Sequence, residues 1–164
     1  MIKANLPYEE SYLGQLRQVV GKRKLMANTV RAVIMDQAGR VLLVRRSDNG
    51  RWVMPAGSME LDESVEDALR REVWEEAGLT VTAATLIAVY SHTRYSAVTA
   101  YGDPYQFVSF VFRVDGWAGE IVEATDETTG AQFFTLDELP ENMPDLYRET
   151  LEDVRRFDGT VILK

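Results

Sequence analysis

"GSMELDESVEDALRREVWEEAGL", Gly57 to Leu79, is the stretch on which the reading of this chain turns. On a helical wheel of about 100° per residue, Val65, Leu69, Val73 and Ala77 form an apolar stripe at four-residue steps. Glu72 and Glu76 fall within about 20° of Val65, and Glu75 lies about 80° away on one flank. Arg70, Trp74, Asp67 and Arg71 take the other side. The spacing predicts a helix from Ser64 to Ala77, stopped by Gly78. Three carboxylates are thus drawn onto the edge of the stripe that must be buried. Like charges at these spacings repel, and glutamate is rarely buried unless paired. Two readings follow. Arg70 and Arg71 can pair with the acids along a wet helix edge. Alternatively, grouped oxygen ligands suit a hard dication such as Mg²⁺ or Mn²⁺, which also removes the repulsion.

Outward from this stretch, Tyr12, Leu13, Leu16, Val19 and Val20 have helical spacing, and Gly21 ends the pattern. This N-terminal helix either docks on the main body or makes a dimer contact. "TVRAVIMD" and "RVLLVRR" are β-rich runs, and the "QAG" between them signals a hairpin. After the central helix come strand-like runs at "TLIAVYSH", "YQFVSFVFRV" and "AQFF". "YGDPYQ" marks a tight turn, and "DGWAGEIVEATDETTG" reads as an acidic loop. "LDELP" reads as a short helical turn, and Asp145 to Phe157 as a last amphipathic helix. Strands interleaved with three helices indicate an α/β domain.

With 164 residues, 46% of them hydrophobic, the chain has the size of one globular domain. The absence of cysteine excludes disulfides, thiolate nucleophiles and thiolate metal sites. A net charge of −8 makes a nucleic acid polymer a poor partner, because such affinity comes from Lys and Arg on phosphates. A small phosphorylated ligand remains compatible if a cation binds with it. The N-terminus has no signal-peptide h-region, and no apolar run approaches the ~20 residues of a membrane span. The expectation is a cytoplasmic protein with no membrane partner.

The spacing of Gly57, Glu63, Arg71, Glu72, Val73, Glu75, Glu76, Gly78 and Leu79 resembles the Nudix box, with no departure at a signature position. "RWVMPAG" resembles the lead-in to that box, with Ala56 where glycine is more usual. "RVLLVRR" and "FFTLDELP" also look like family features. The resemblance divides the chain into an N-terminal helical segment, 1–27, and a Nudix domain, 28–164. It implies an α/β/α sandwich with a mixed β-sheet, and hydrolysis of the diphosphate in a nucleoside diphosphate linked to a group X. Water attacks phosphorus in such reactions, and Mg²⁺, or Mn²⁺, is the implied cofactor. The family pattern assigns the metal to Glu72, Glu75 and Glu76 with the Gly57 carbonyl. Arg71 orients Glu72, while Glu63 and Gly78 shape the box. The general base is either Glu72 or a later loop glutamate, and of Glu120, Glu123 and Glu127 the last matches best.

Arg45, Arg46 and Arg51 are candidates for substrate phosphates. Tyr95 stands where family members acting on ADP-ribose often carry proline, and members acting on diadenosine polyphosphates often carry tyrosine. The substrate reading therefore stays broad: nucleotide, nucleotide sugar, ADP-ribose or dinucleoside polyphosphate. The competing class is a Nudix module that binds a nucleotide without cleaving it. The complete box argues against that class, since such modules commonly lose box glutamates. A homodimer is compatible with the N-terminal helix.

Overall fold

A computed structural model describes residues 6–99 and 101–164. A short 3-10 turn at Tyr8–Glu10 leads into helix α1, Tyr12–Val20. Strands β1 (Leu25–Ile34), β2 (Val41–Arg46), β3 (Trp52–Val53) and β4 (Ala56–Ser58) precede helix α2, Val65–Ala77. Then come β5 (Thr80–Tyr90), β6 (Ser96–Val98), β7 (Pro104–Ala118), β8 (Thr128–Phe134), helix α3 (Asp145–Arg156) and β9 (Ile162–Leu163). The larger sheet runs β4-β1-β7-β5-β9, with β6 added on β7, and the smaller runs β3-β2-β8. The larger sheet is mixed: β1 pairs with β7 in parallel and β5 with β7 antiparallel.

Strand alternation builds the layers. Val30, Ala32 and Ile34 of β1 pack into one core with Leu69, Val73 and Ala77 of α2. Val33 points the other way, into a core backed by Leu146, Leu151 and Val154 of α3. The two helices therefore cover opposite faces of β1, giving the expected α/β/α arrangement. Among the described residues, no helix is long and apolar enough to cross a membrane.

Helix α2 starts and stops as its sequence dictates. Ser64 caps it in a reciprocal box with Asp67, and Gly78 ends it in a left-handed conformation at φ 74°. Two other expectations need correction. The "QAG" turn does not make a hairpin: β1 and β2 belong to different sheets and share a single bridge, Met35 to Val41. The acidic segment is also less of a loop than its composition suggests. Asp115 to Ala118 continue β7, where they pair with β5, and Thr128 already starts β8. Burial of neighbours on a long, bulged strand pair overrides the local signal there.

Helix α1 is fastened at both ends. Its first backbone N–H, at Tyr12, donates to Glu60 Oε2 at 2.7 Å. Near its other end, Arg17 and Lys22 both reach Asp103, which is almost fully buried. Gly14 lies where the chain folds back on itself, and a Cβ there would overlap the backbone carbonyl of Tyr8. Gly14→Ala is expected to cost about 1–3 kcal/mol, the usual range for overpacking. Thermal unfolding of the variant checks this, and an unchanged midpoint would refute the tight docking.

Candidate active site

The box helix packs directly against strand β4, the edge neighbour of β1. Gly57 pairs with Val30 of β1, and a Cβ on Gly57 would collide with the Glu72 carboxylate. The glycine is thus a cradle: the missing side chain is the space in which Glu72 sits. Glu72, Glu75 and Glu76 are all buried, with exposures of 6%, 3% and 3%. The wheel placed them at the edge of the apolar stripe, and the structure shows that edge turned inward.

Arg71 organises the outer side of this cluster. Its Nε and Nη2 grip Glu63 at 2.7 and 3.0 Å, and Nη1 donates to Glu72 at 2.7 Å and Glu75 at 3.0 Å. Nη2 also donates to the Ser58 carbonyl at 2.9 Å, tying the helix to β4. Glu63 in turn accepts from the Glu60 N–H at 2.9 Å, fixing the loop before α2. A planar guanidinium with several donors suits this geometry, and an ammonium does not. Arg71→Lys is therefore expected to lower turnover by about 10–100-fold, the scale of losing a group that orients ligands. Steady-state kinetics on the purified variant checks it; near-normal turnover would show that the fork is dispensable.

Glu76 lies on the inner side, accepting from the Ala56 N–H at 2.8 Å. Glu72, Glu76 and Glu127 bring carboxylate oxygens within 4.8 Å of one another. Burial pushes the Glu72 carboxyl up to about 7, against the pull of Arg71. Burial, reinforced by Glu72, holds Glu76 well above the ordinary carboxylate range. Glu127 is raised as well, by desolvation where it faces the cleft and by the nearby Glu75, although the residue as a whole is exposed. Grouped, desolvated carboxylates, with the Arg71 fork on their outer side, are an oxygen-only donor set. This is what a hard dication requires, and the chemistry of the residues fits such an ion.

The cleft over these acids has a volume of about 450 Å³, and Arg46 and Glu127 line it. The N-terminal segment contributes Leu6, Tyr8 and Ser11 to its wall. These residues were not singled out in the sequence, because nothing local in "NLPYEES" says what it covers. Of the three candidate arginines only Arg46 lines the cleft, with its guanidinium held on Asp48 at 2.9 and 2.8 Å. Arg45 and Arg51 are exposed and line neither this cleft nor its neighbour. Glu120 and Glu123 do not line the cleft either, which singles out Glu127 among the loop glutamates.

A second cavity of about 720 Å³ adjoins the first and shares Arg46 and strand β4 with it. Tyr95 lines this cavity; it is buried and stacks on Tyr90 at 4.9 Å between ring centroids. Arg31 and Tyr147 also line it. Arg31 escaped the sequence reading because a charge inside a β-rich run looks like an outward-facing residue.

The architecture is a mixed sheet between two helices, with a buried acidic cluster on the loop–helix that follows β4. Comparison with known proteins makes this specific. The NUDIX domain family profile matches residues 26–154. A MutT-like protein of Streptomyces ambofaciens is 36% identical over 80% of this chain and 83% of its own length. An ADP-ribose pyrophosphatase of Methanocaldococcus jannaschii is 33% identical over 76% of this chain and 70% of its own. The crystal structure of a MutT NUDIX hydrolase from Burkholderia pseudomallei superposes with a TM-score of 0.65 at 30% identity, covering 79% of this chain and 98% of that one. The chain belongs to the Nudix family, and it is a Nudix pyrophosphohydrolase.

Proposed function

We propose that the chain hydrolyses the diphosphate linkage of a nucleoside diphosphate joined to a group X, with a divalent cation, Mg²⁺ or Mn²⁺, at the box. The observation that carries this is the convergence of buried Glu72 and Glu76 with cleft-facing Glu127, beside a Gly57 that leaves room for the Glu72 carboxylate. Glu72, Glu75 and Glu76 would hold the ion, with the Gly57 carbonyl at the cradle. When bound, a dication neutralises diphosphate oxygens and lowers the pKa of a water.

The residues of the chain supply the rest. Arg71 holds Glu72 and Glu75 in place through its shared Nη1, and Glu63 anchors that guanidinium. Arg46, at the wall common to both cavities, donates to phosphate oxygens that pass from one to the other. Leu6 and Tyr8 limit water access from the open side. Glu127 acts as general base: it faces the cleft, desolvation raises its pKa, and it does not take part in the Arg71 hydrogen bonds that hold Glu63, Glu72 and Glu75. Glu127→Gln is expected to lower kcat by about 10²–10⁴-fold, the usual weight of general base catalysis, and to remove the acidic limb of the pH–rate profile. Retention of that limb would move the role to Glu72.

The substrate class is tested by a turnover screen with Mg²⁺ or Mn²⁺. It covers nucleoside di- and triphosphates, nucleotide sugars, ADP-ribose and dinucleoside polyphosphates, with products separated by chromatography. ADP-ribose belongs in the screen because of the archaeal relative. Metal-dependent release of a monophosphate is the expected outcome. No turnover on any compound, together with nucleotide binding unaffected by Glu76→Gln, would replace the enzyme reading with a binding module. In this reading one of the two adjoining cavities holds the diphosphate and the other the nucleoside.

A further inference from the structure

The side cavity is lined by a buried arginine that has no ion-pair partner among the described residues. Arg31 is 6% exposed, and its Nε is buried without a hydrogen-bond partner. Nη1 donates to Thr150 Oγ1 of α3 at 3.0 Å. The guanidinium carbon lies 4.7 Å from the Tyr147 ring centroid and 5.7 Å from that of Tyr90. Among the described residues, no carboxylate forms an ion pair with it. Glu149, one of the two acids of the cavity wall, is held by Arg94 at 2.6 Å and Lys164 at 2.8 Å. A buried arginine is normally matched by an acid. Here aromatic faces spread its charge, and the residue lines a chamber large enough for a nucleoside.

The position of Arg31 in the sheet aims it at the ligand. It pairs with Ala56 across β1 and β4, one residue from the Gly57 that cradles Glu72. By alternation Gly57 faces the box helix, whereas Arg31 and Ala56 share the face covered by α3. A diphosphate in the acidic cleft therefore has its attached group delivered to Arg31.

Building on the diphosphatase reading above, we propose that Arg31 is the residue that selects the nucleobase, and that it admits 6-oxopurines in preference to adenine. Arginine only donates hydrogen bonds. The O6/N7 edge of guanine or hypoxanthine offers two acceptors, while the same edge of adenine presents an N6 amino donor. Against a fixed guanidinium, that donor loses a hydrogen bond and leaves two N–H groups facing each other. The aromatic walls, Tyr147 and Phe107, accept either purine face. The choice is therefore made at the edge of the base.

The test compares binding of GMP, IMP and AMP to the full chain by titration calorimetry without metal, and turnover of GDP, IDP and ADP with Mg²⁺. GMP and IMP are expected to bind alike and about 10–100-fold more tightly than AMP, with the same order in kcat/KM. Arg31→Gln, whose amide both donates and accepts, should bring the ratio close to one. If that variant fails to fold, the wild-type series still decides. IMP behaving like AMP would mean that the exocyclic 2-amino group is read, which overturns the role of Arg31. Equal or tighter AMP binding overturns it too. A clear GMP and IMP preference without any turnover would sink the diphosphatase reading alone; turnover without base preference would sink this one alone.

Discussion

Glu76→Gln is expected to lower kcat/KM by roughly a thousandfold, the several kcal/mol that metal-assisted charge stabilisation supplies, while making the metal-free protein more stable. The second half follows from burial. Glu76 is almost inaccessible and accepts one backbone N–H from Ala56, a bond that the glutamine oxygen can keep. Its carboxyl is held well above the usual range, and Glu72 is pushed up to about 7 from an ordinary 4.5. For a carboxyl whose folded pKa is raised, the folded state binds the proton more tightly than the unfolded one. The resulting stability is complete below pH 4.5 and is lost as the pH rises through about 7. Metal-free wild type should therefore lose stability across that window through Glu72, and Glu76→Gln should remove the further loss that Glu76 contributes as the pH rises. A dication should restore wild-type stability above pH 7 and do much less for the variant. Denaturant titrations at several pH values, with EDTA or with Mg²⁺, give the stability; kinetics give the rate. Full turnover by Glu76→Gln would remove Glu76 from the metal site.

Gly57→Ala is expected to separate activity from folding. The added methyl group meets the far end of a flexible side chain, the Glu72 carboxylate, so the backbone can stay in place. Glu72 must then swing away, which breaks its bond to Arg71 Nη1 and empties its position in the acidic cluster. A fall in turnover of about 10²–10³-fold is expected, comparable to losing a preorganised electrostatic group. The thermal midpoint should move by only a few degrees. The informative contrast is with Gly14→Ala, where the added methyl meets backbone and stability carries the loss. If Gly57→Ala unfolded the protein while keeping the specific activity of the folded fraction, the cradle interpretation would fail.

The box was legible because its signals are local. Ser64 and Asp67 announce the helix start, Gly78 its end, and the four-residue stripe its buried face. Even the inward turn of Glu72 and Glu76 could be read from the wheel. What stayed hidden depends on partners distant in sequence. "QAG" signals a reversal of direction, but it says nothing of which sheet receives each strand, and β1 and β2 part company there. Asp115 to Ala118 look like loop until β5 is placed beside them. Arg45, Arg46 and Arg51 are equivalent in sequence, and only the cleft wall tells Arg46 from the others. Arg31 is the strongest case. Its environment comes from Tyr90 on β5 and from Tyr147 and Thr150 on α3, all far along the chain.

The parallel pairing of β1 with β7 has a kinetic meaning. Leu25 to Ile34 find their partners at Tyr105 to Val114. A chain emerging from its N-terminus completes the whole box before β7 exists, so the acidic helix is made before the sheet that backs it is complete. Non-local pairing of this kind slows folding, since the loop must close before any contact rewards it. The capacity to gather a cation thus arrives late, with the strand that closes the sheet, and nascent chains shorter than that point carry the signature without the site.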